Sequence, residues 1–385
     1  MNNITIIRAV TAPQSIGFIL PVVSGLQERG YKIISVSSPG SQLERLREKG
    51  VKTYEIPMER HISLIKDLCS LWRIIKVFKN EKPIMVHSMT PKAGLLCMLA
   101  AWLTRVPKRV HTFTGLIWPT STGIKRKVLI LTDKITCACA THIIPEGNGV
   151  KNDLQRCVTK KQMKVLGYGN VRGVDMQRLS HRPEIVHGAE KLKDTSTFTF
   201  IFVGRIVKDK GINELVNAFE EIHIKYPETK LLIIGKYEED LDPISEASHQ
   251  SITKNNAVIA PGPKYGDELI SYYAASDCFI LPSYREGFPN TVLEAGAMGL
   301  PCIVTDINGS REIIEDGKNG LVVPPKDVKA LYNAMECMLV NKDATTKMAS
   351  NARPMIESRF EQGFVRKCLY DFYDEILNSK RDTNV

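Results

Sequence analysis

Short apolar runs alternate along this chain with longer stretches of helical periodicity. Thr5–Val10, Lys32–Ser37, Val51–Ile56, Ile84–His87, Arg109–Phe113 and His142–Pro145 read as strands. Between them, Ile16–Arg29, Gln42–Lys49, Leu64–Phe78, Lys92–Leu103 and Lys125–Cys139 carry apolar residues at helical spacing. Strands that are apolar throughout are buried on both faces, so the pattern predicts βαβ units around a parallel sheet.

The alternation lapses over the polar stretch 151–182, which contains the Gly- and Asn-rich run 167–175, and then starts again. Phe198–Val203, Leu231–Ile234, Cys278–Leu281 and Cys302–Val304 read as strands, with Asn319–Val323 as a further extended piece. Ile212, Leu215, Val216, Phe219 and Ile222 mark one helix face, and Glu268–Ala275 another helix. In the tail, Phe360, Phe364, Cys368, Phe372, Ile376 and Leu377 share a helical face. The chain therefore reads as α/β: two Rossmann-like domains, 1–175 and 176–385, facing a central cleft. A terminal helix near 360–378 is available to pack back on the first domain.

The length of 385 residues agrees with more than one domain. The longest apolar run, Leu95–Leu103, is nine residues, far short of the roughly 20 that a membrane helix needs. The N-terminus reads as a first strand, with no signal-peptide pattern. Nine cysteines without a CxxC pair suggest reduced thiols and no zinc site. The net charge of +10 is uneven. Residues 1–182 hold 29 Lys and Arg against 11 Asp and Glu, whereas residues 183–385 hold 23 against 31. An anionic partner for the first half is the simplest reading, with a solvated basic face as the alternative. No basic–aromatic motif points to nucleic acid, and no GxGxxG follows a strand.

Ligands of open α/β sheets bind beyond the carboxyl ends of the strands, and two segments there carry charge. The first is Gly204-Arg205-Ile206-Val207-Lys208-Asp209-Lys210-Gly211. Gly204 permits close backbone approach, while Arg205 and Lys210 bring cations to a helix N-terminus, which suits a diphosphate. The alternative is a solvated basic loop. The second is Glu286-Gly287-Phe288-Pro289-Asn290, continuing to Glu294. Pro289 at the first helical position or Asn290 as cap starts a helix, whose amides suit phosphate oxygens. Glu294, one turn in, suits a pair of vicinal hydroxyls such as a ribose. Here the alternative is one capping and one surface carboxylate. Asp240-Leu241-Asp242 forms a D-x-D within an acidic stretch and reads as a solvated loop, not a metal site.

Taken in order, these segments resemble the retaining glycosyltransferases of family 4, which have the GT-B fold. Glu286 and Glu294 match the family's E-x7-E, Arg205 and Lys210 its basic pair, and Gly173-Val174-Asp175 its inter-domain junction. The segments 87–94 and 111–116 are similar to a bacterial subgroup that builds capsule, O-antigen and related lipid-linked glycans. The resemblance implies a nucleotide-sugar donor, a UDP-hexose or UDP-N-acetylhexosamine by family frequency, bound mainly by the second domain. Arg205 and Lys210 would neutralise its diphosphate, with Gly204 approached closely by the donor and the backbone of Gly287, Phe288, Pro289 and Asn290 touching its sugar or its phosphates. Glu294 would hold the ribose, and Glu286 and His111 the donor sugar at the reacting carbon.

By the same resemblance the first domain would bind a lipid-diphosphate-linked saccharide, with Gly17, His87 and Lys92 as candidate contacts. Each has a plain structural alternative, a core histidine for His87 and His111 and solvent for Lys92. No metal or other cofactor is expected. The basic half, including Lys125-Arg126-Lys127 and Lys160-Lys161, would approach anionic headgroups at the cytoplasmic face of the membrane. A sugar-nucleotide 2-epimerase of similar fold and a non-catalytic nucleotide-sugar-binding protein remain as alternatives.

Overall fold

The computed structural model describes residues 4–59, 63–238 and 242–378. They form two compact units, one running to Gly173 and resuming at Gly363, the other spanning Val174–Gln362. The first unit holds strands β1 (Ile4–Ala9), β2 (Tyr31–Ser37), β3 (Lys52–Glu55), β4 (Met85–Met89), β5 (Lys108–Phe113) and β6 (His142–Pro145). Their order in the sheet is β3-β2-β1-β4-β5-β6, parallel throughout. The second unit holds β7 (Phe198–Val203), β8 (Thr229–Ile234), β9 (Val258–Ile259), β10 (Cys278–Leu281), β11 (Cys302–Thr305) and β12 (Gly320–Val323). It repeats the same winding, β12-β11-β10-β7-β8-β9, again parallel. Every residue of β4, β10 and β11 is buried, so the polar side chains of β4, His87 and Ser88, find their partners within the core.

Strand order reverses between β1 and β4 in the first unit and between β7 and β10 in the second. At each such switch point the connections leave in opposite directions and open a crevice above the strand ends. In the first unit Thr11 and Thr90 meet there, their hydroxyls 2.8 Å apart. Thr90 adopts φ 77°, which is costly for a β-branched residue.

The predicted helix over Ile16–Arg29 is not continuous. Two 3-10 turns, Pro13–Phe18 and Leu20–Val22, precede a short helix, Val23–Glu28. Pro21 cannot donate a hydrogen bond, and its ring obstructs the preceding turn. Gly25 is held to glycine by packing, because a Cβ there would lie 2.4 Å from the Tyr370 hydroxyl. Gln42–Lys49 is likewise a 3-10 turn, Ser41–Leu43, and one helical turn, Glu44–Arg47. The polar lapse begins inside a helix, Asn148–Cys157, whose buried face is only Val150 and Leu154.

The tail forms a helix, Gln362–Asn378, that belongs to the first unit. It buries Val365, Leu369, Tyr370, Phe372, Tyr373 and Ile376. Phe364, expected on that face, is 36% exposed, and Phe360 closes the preceding helix within the second unit's core. Tyr373 reaches the centre of the first unit. Its hydroxyl accepts a hydrogen bond from the buried Arg8 guanidinium at 2.5 Å and pairs with His87 Nδ1 at 2.5 Å.

Gly211 is a backbone requirement of the second unit. It sits at φ 72°, and a Cβ there would lie 2.0 Å from the Pro282 carbonyl oxygen. Gly211→Ala should cost at least about 1–2 kcal/mol from the left-handed conformation alone, lowering Tm by roughly 3 °C or more. Differential scanning calorimetry checks it; an unchanged Tm would show that the loop relaxes freely.

Candidate functional site

The charged segments of the second unit meet beyond the ends of β7 and β10. Gly204 follows β7 and donates its N–H to Ile234 at 3.0 Å. Its carbonyl faces Gly235, where a Cβ would come within 1.7 Å. The loop onward is held by the chain after β8. Ile206 N–H bonds Lys236 O, Lys208 N–H bonds Asp242 O, and Asp209 N–H bonds the Asp242 carboxylate at 2.8 Å. Asp242, one half of the D-x-D, is thus a loop anchor. Asp240 lies outside the described residues.

Asp209 then ties this loop to the one after β10. Its carbonyl accepts from Tyr284 N–H at 2.8 Å and its carboxylate from Arg285 at 3.0 Å. Across this seam Lys210 forms an ion pair with Glu286, both side chains about one-sixth exposed (16% and 14%). Ser283, fully buried, donates to the same Glu286 oxygen at 2.8 Å, and Thr305 donates to the Ser283 carbonyl at 2.5 Å. A chain of hydrogen bonds from β11 therefore fixes the Glu286 carboxylate. Arg205 pairs with Glu238 at 2.8 Å and feels Asp209 and Glu286. Partial burial pulls its pKa down, but the Glu238 hydrogen bond and these carboxylates outweigh that, for a net rise.

The helix Asn290–Ala297 opens with Pro289 in the cap position and Asn290 as its first residue, so neither expected alternative describes it fully. Glu294 accepts a hydrogen bond from Tyr273 at 3.3 Å. Tyr273 is fully buried, and its hydroxyl is held well above the ordinary range by burial and then by Glu294. Gly287 and Phe288 are pressed by the turn at Gly309, where a Cβ would lie 2.3 Å from Gly287 O. The Phe288 ring packs on Phe360 in the core, which leaves only its backbone for a ligand. Sequence reading singled out the two carboxylates and the cations. It missed Ser283, Asp209, Arg285 and Tyr273, whose signal lies in contacts between distant loops.

In the first unit, His111 of β5 is 1% exposed and lies at the edge of a pocket. Its Nδ1 pairs with Ser88 Oγ at 2.8 Å, and burial lowers its pKa to about 3, so the ring is neutral at pH 7. The helix Pro91–Leu103 packs so tightly on it that a Cβ at Gly94 would lie 2.3 Å from His111 Cε1. His87 differs from the expectation of an acceptor contact. Nδ1 is committed to Tyr373 and Nε2 to Thr112 at 2.7 Å, and burial with the nearby Arg8 keeps it neutral. Both nitrogens serve the core. Lys92, expected at an acceptor phosphate or in solvent, is 9% exposed and bridges to Asp67 at 2.5 Å. Gly17 lies in the first 3-10 turn, with the Arg172 guanidinium 3.9 Å from where its Cβ would be. Lys161, expected to face headgroups, instead donates to the carbonyls of Cys137, Ala138 and Ala140, closing the end of the helix Gly123–Cys139. Among the described residues, no group of three or more His, Cys, Asp or Glu side chains is placed to hold a metal.

Comparison with known proteins fits this geometry. Residues 9–145 match the family described as "Glycosyl transferase 4-like" and residues 187–355 match "Glycosyl transferases group 1". The chain is 33% identical over 380 residues to the capsular polysaccharide biosynthesis glycosyltransferase CapM of Staphylococcus aureus, covering 98% of each chain. It is 28% identical to the UDP-Gal:alpha-D-GlcNAc-diphosphoundecaprenol alpha-1,3-galactosyltransferase of Escherichia coli, over 89% of this chain and 91% of that one. Its fold is similar to that of a glycosyltransferase from Rickettsia africae, with TM-score 0.79, 21% identity, and coverage of 99% of this chain and 100% of that one. Anabaena Alr3699/HepE in complex with UDP gives TM-score 0.79 at 16% identity, over 97% of this chain and 100% of that one. This chain belongs to the glycosyltransferases of the GT-B fold, a 4-like domain followed by a group 1 domain, and is an enzyme of glycosyl transfer.

Proposed function

We propose that this enzyme transfers a hexosyl or N-acetylhexosaminyl group from its UDP conjugate to a lipid-diphosphate-linked glycan, retaining anomeric configuration and using no metal ion. The observation that carries the reading is the seam in the second unit, where Arg205 and the Lys210–Glu286 pair lie on loops locked by Asp209 and Ser283. Cleavage of the anomeric C–O bond builds negative charge on the departing diphosphate. Two cations carried on locked loops answer that charge without a metal. As the diphosphate enters, Arg205 and Lys210 turn from Glu238 and Glu286 toward it, which frees the Glu286 carboxylate for the donor sugar. Glu294 takes the ribose hydroxyls, and the backbone of 287–290 lines the phosphates. His111, in the first unit, is neutral and would meet a sugar hydroxyl without adding charge.

The acceptor class follows the named relatives, among them the E. coli enzyme above and a Campylobacter jejuni N-acetylgalactosaminyltransferase that acts on a diphospho-undecaprenol substrate. No helix among the described residues is long and apolar enough to cross a membrane. Docking at the cytoplasmic face would use exposed Ile65, Leu68 and Trp72 on the helix Leu64–Glu81 and Ile124 and Leu131 on Gly123–Cys139. Exposed Lys66, Arg73, Lys76, Lys125, Arg126 and Lys127 lie among them. Each cation near an anionic surface contributes up to about 1 kcal/mol.

A thermal-shift panel of UDP-glucose, UDP-galactose, their N-acetylamino counterparts and GDP-mannose, followed by transfer to GlcNAc-diphosphoundecaprenol in excess EDTA, tests the reading. One UDP-sugar should raise Tm and be transferred at an undiminished rate in chelator, with the anomeric configuration kept. Activity that returns only on adding a metal would overturn the metal-free assignment. Interconversion of sugar nucleotides without acceptor would mark an epimerase.

A further inference from the structure

The first unit contains a pocket lined by its own residues. It lies beyond the end of β5, is partly open to solvent, and is lined by Thr90, His111, Thr114, Gly115, Thr132 and Asp133, among others. Asp133 is its one charged side chain among the described residues. It projects from the helix Gly123–Cys139 and is half-buried. One carboxylate oxygen, Oδ2, accepts a hydrogen bond from the buried Trp118 Nε1 at 3.0 Å. The other has no donor among the described residues. Most of the remaining hydroxyls are already engaged: Thr90 with Thr11, Thr112 with His87, and Thr132 with the Leu129 carbonyl.

A carboxylate anchored on one side and open on the other is an acceptor waiting for a neutral donor. It would repel a phosphate, and it matches a sugar hydroxyl. We propose that Asp133 binds the acceptor saccharide, its Oδ1 receiving a hydrogen bond from a sugar hydroxyl beside His111. This rests on the transferase reading above. The surroundings tune the group. Burial raises the Asp133 carboxyl to about 7, and the Trp118 hydrogen bond only partly opposes this. The other groups nearby are the neutral His111 on β5, Cys137 one turn further along the helix, Lys161 beside Cys137, and Arg126 over the Trp118 ring. The helix Pro91–Leu103 bears a single charge, Lys92, which is paired with Asp67. The carboxyl therefore titrates near neutrality, and its ionised form is the stronger acceptor for a sugar hydroxyl.

The test is steady-state transfer to GlcNAc-diphosphoundecaprenol from the UDP-sugar selected by the panel, with acceptor and donor KM measured separately from pH 6 to 8.5. In the wild type, acceptor KM should fall severalfold as pH rises through 7. Asp133→Asn should raise acceptor KM at pH 8 at least tenfold, abolish that pH dependence, and leave donor KM and acceptor-free release of UDP within twofold. Trp118→Phe is the structural control, since it removes the indole donor and keeps a ring. If Asp133 serves only to hold Trp118, both variants lose Tm alike and neither changes acceptor KM, and the proposal falls. An Asp133→Asn effect confined to donor KM overturns it too. A wild type that transfers nothing from any donor of the panel removes the proposed donor and acceptor classes, and the assignment with them.

Discussion

In the Arg205→Ala variant, kcat/KM for the nucleotide-sugar donor should fall by roughly 100- to 1,000-fold, the usual effect of deleting one fixed donor to a developing negative charge. Tm should stay within about 2 °C, because Arg205 is 46% exposed and its loss leaves Glu238 at 29% exposure, open to water. Steady-state kinetics with saturating acceptor gives the first quantity and calorimetry the second. Turnover within threefold of wild type would remove Arg205 from the donor site. A large fall in Tm would instead assign it to the packing of the loop with the chain after β8.

Glu286 should behave differently, because it is buried more deeply and more heavily bonded. Glu286→Gln keeps the shape and the Ser283 contact but removes the charge opposite Lys210. The expected result is a loss in kcat of about 100-fold or more, the scale of a positioned acid–base or electrostatic group, with donor KM changed only severalfold. Glu286→Ala should add a stability cost of about 1–3 kcal/mol, since it leaves a mostly buried ammonium and a buried hydroxyl without their acceptor. Comparing kcat in the two variants separates chemistry from folding. Equal kcat in wild type and Glu286→Gln would end the role proposed for this carboxylate.

How much of this was legible in the sequence differs between backbone and site. Strands such as Phe198–Val203, Cys278–Leu281 and His142–Pro145 were readable to the residue, because parallel strands buried on both faces carry apolar side chains throughout. The region 13–29 misled because its apolar content is helical while Pro21 and Gly25 answer to local sterics and to Tyr370, a residue more than 340 positions away. The two-residue β9 and the sparse helix Asn148–Cys157 carry too few apolar positions to set a period. At the site, spacing alone placed Glu286 in a loop and Glu294 one turn into a helix. Spacing could not reveal Ser283 beneath Glu286 or Asp209 bridging to Arg285, since those bonds exist only once β7, β10 and β11 lie side by side. Nor could it tell His87 from His111. Both lie inside buried strands of the same sheet, and only the arrival of Tyr373 commits one of them wholly to the core.

That arrival has a consequence for synthesis. Tyr373 closes the hydrogen-bond set around Arg8, yet about 190 residues of the second unit are made between Gly173 and Gly363. At roughly 5–20 residues per second, a ribosome takes about 10–40 s to cover that distance. Throughout it the nascent first unit holds a guanidinium in its core without its phenolic partner, and the groove for the last helix is still open. The half of the enzyme translated first is therefore the half that finishes folding last, and its exposed groove is where a chaperone would be expected to hold the growing chain.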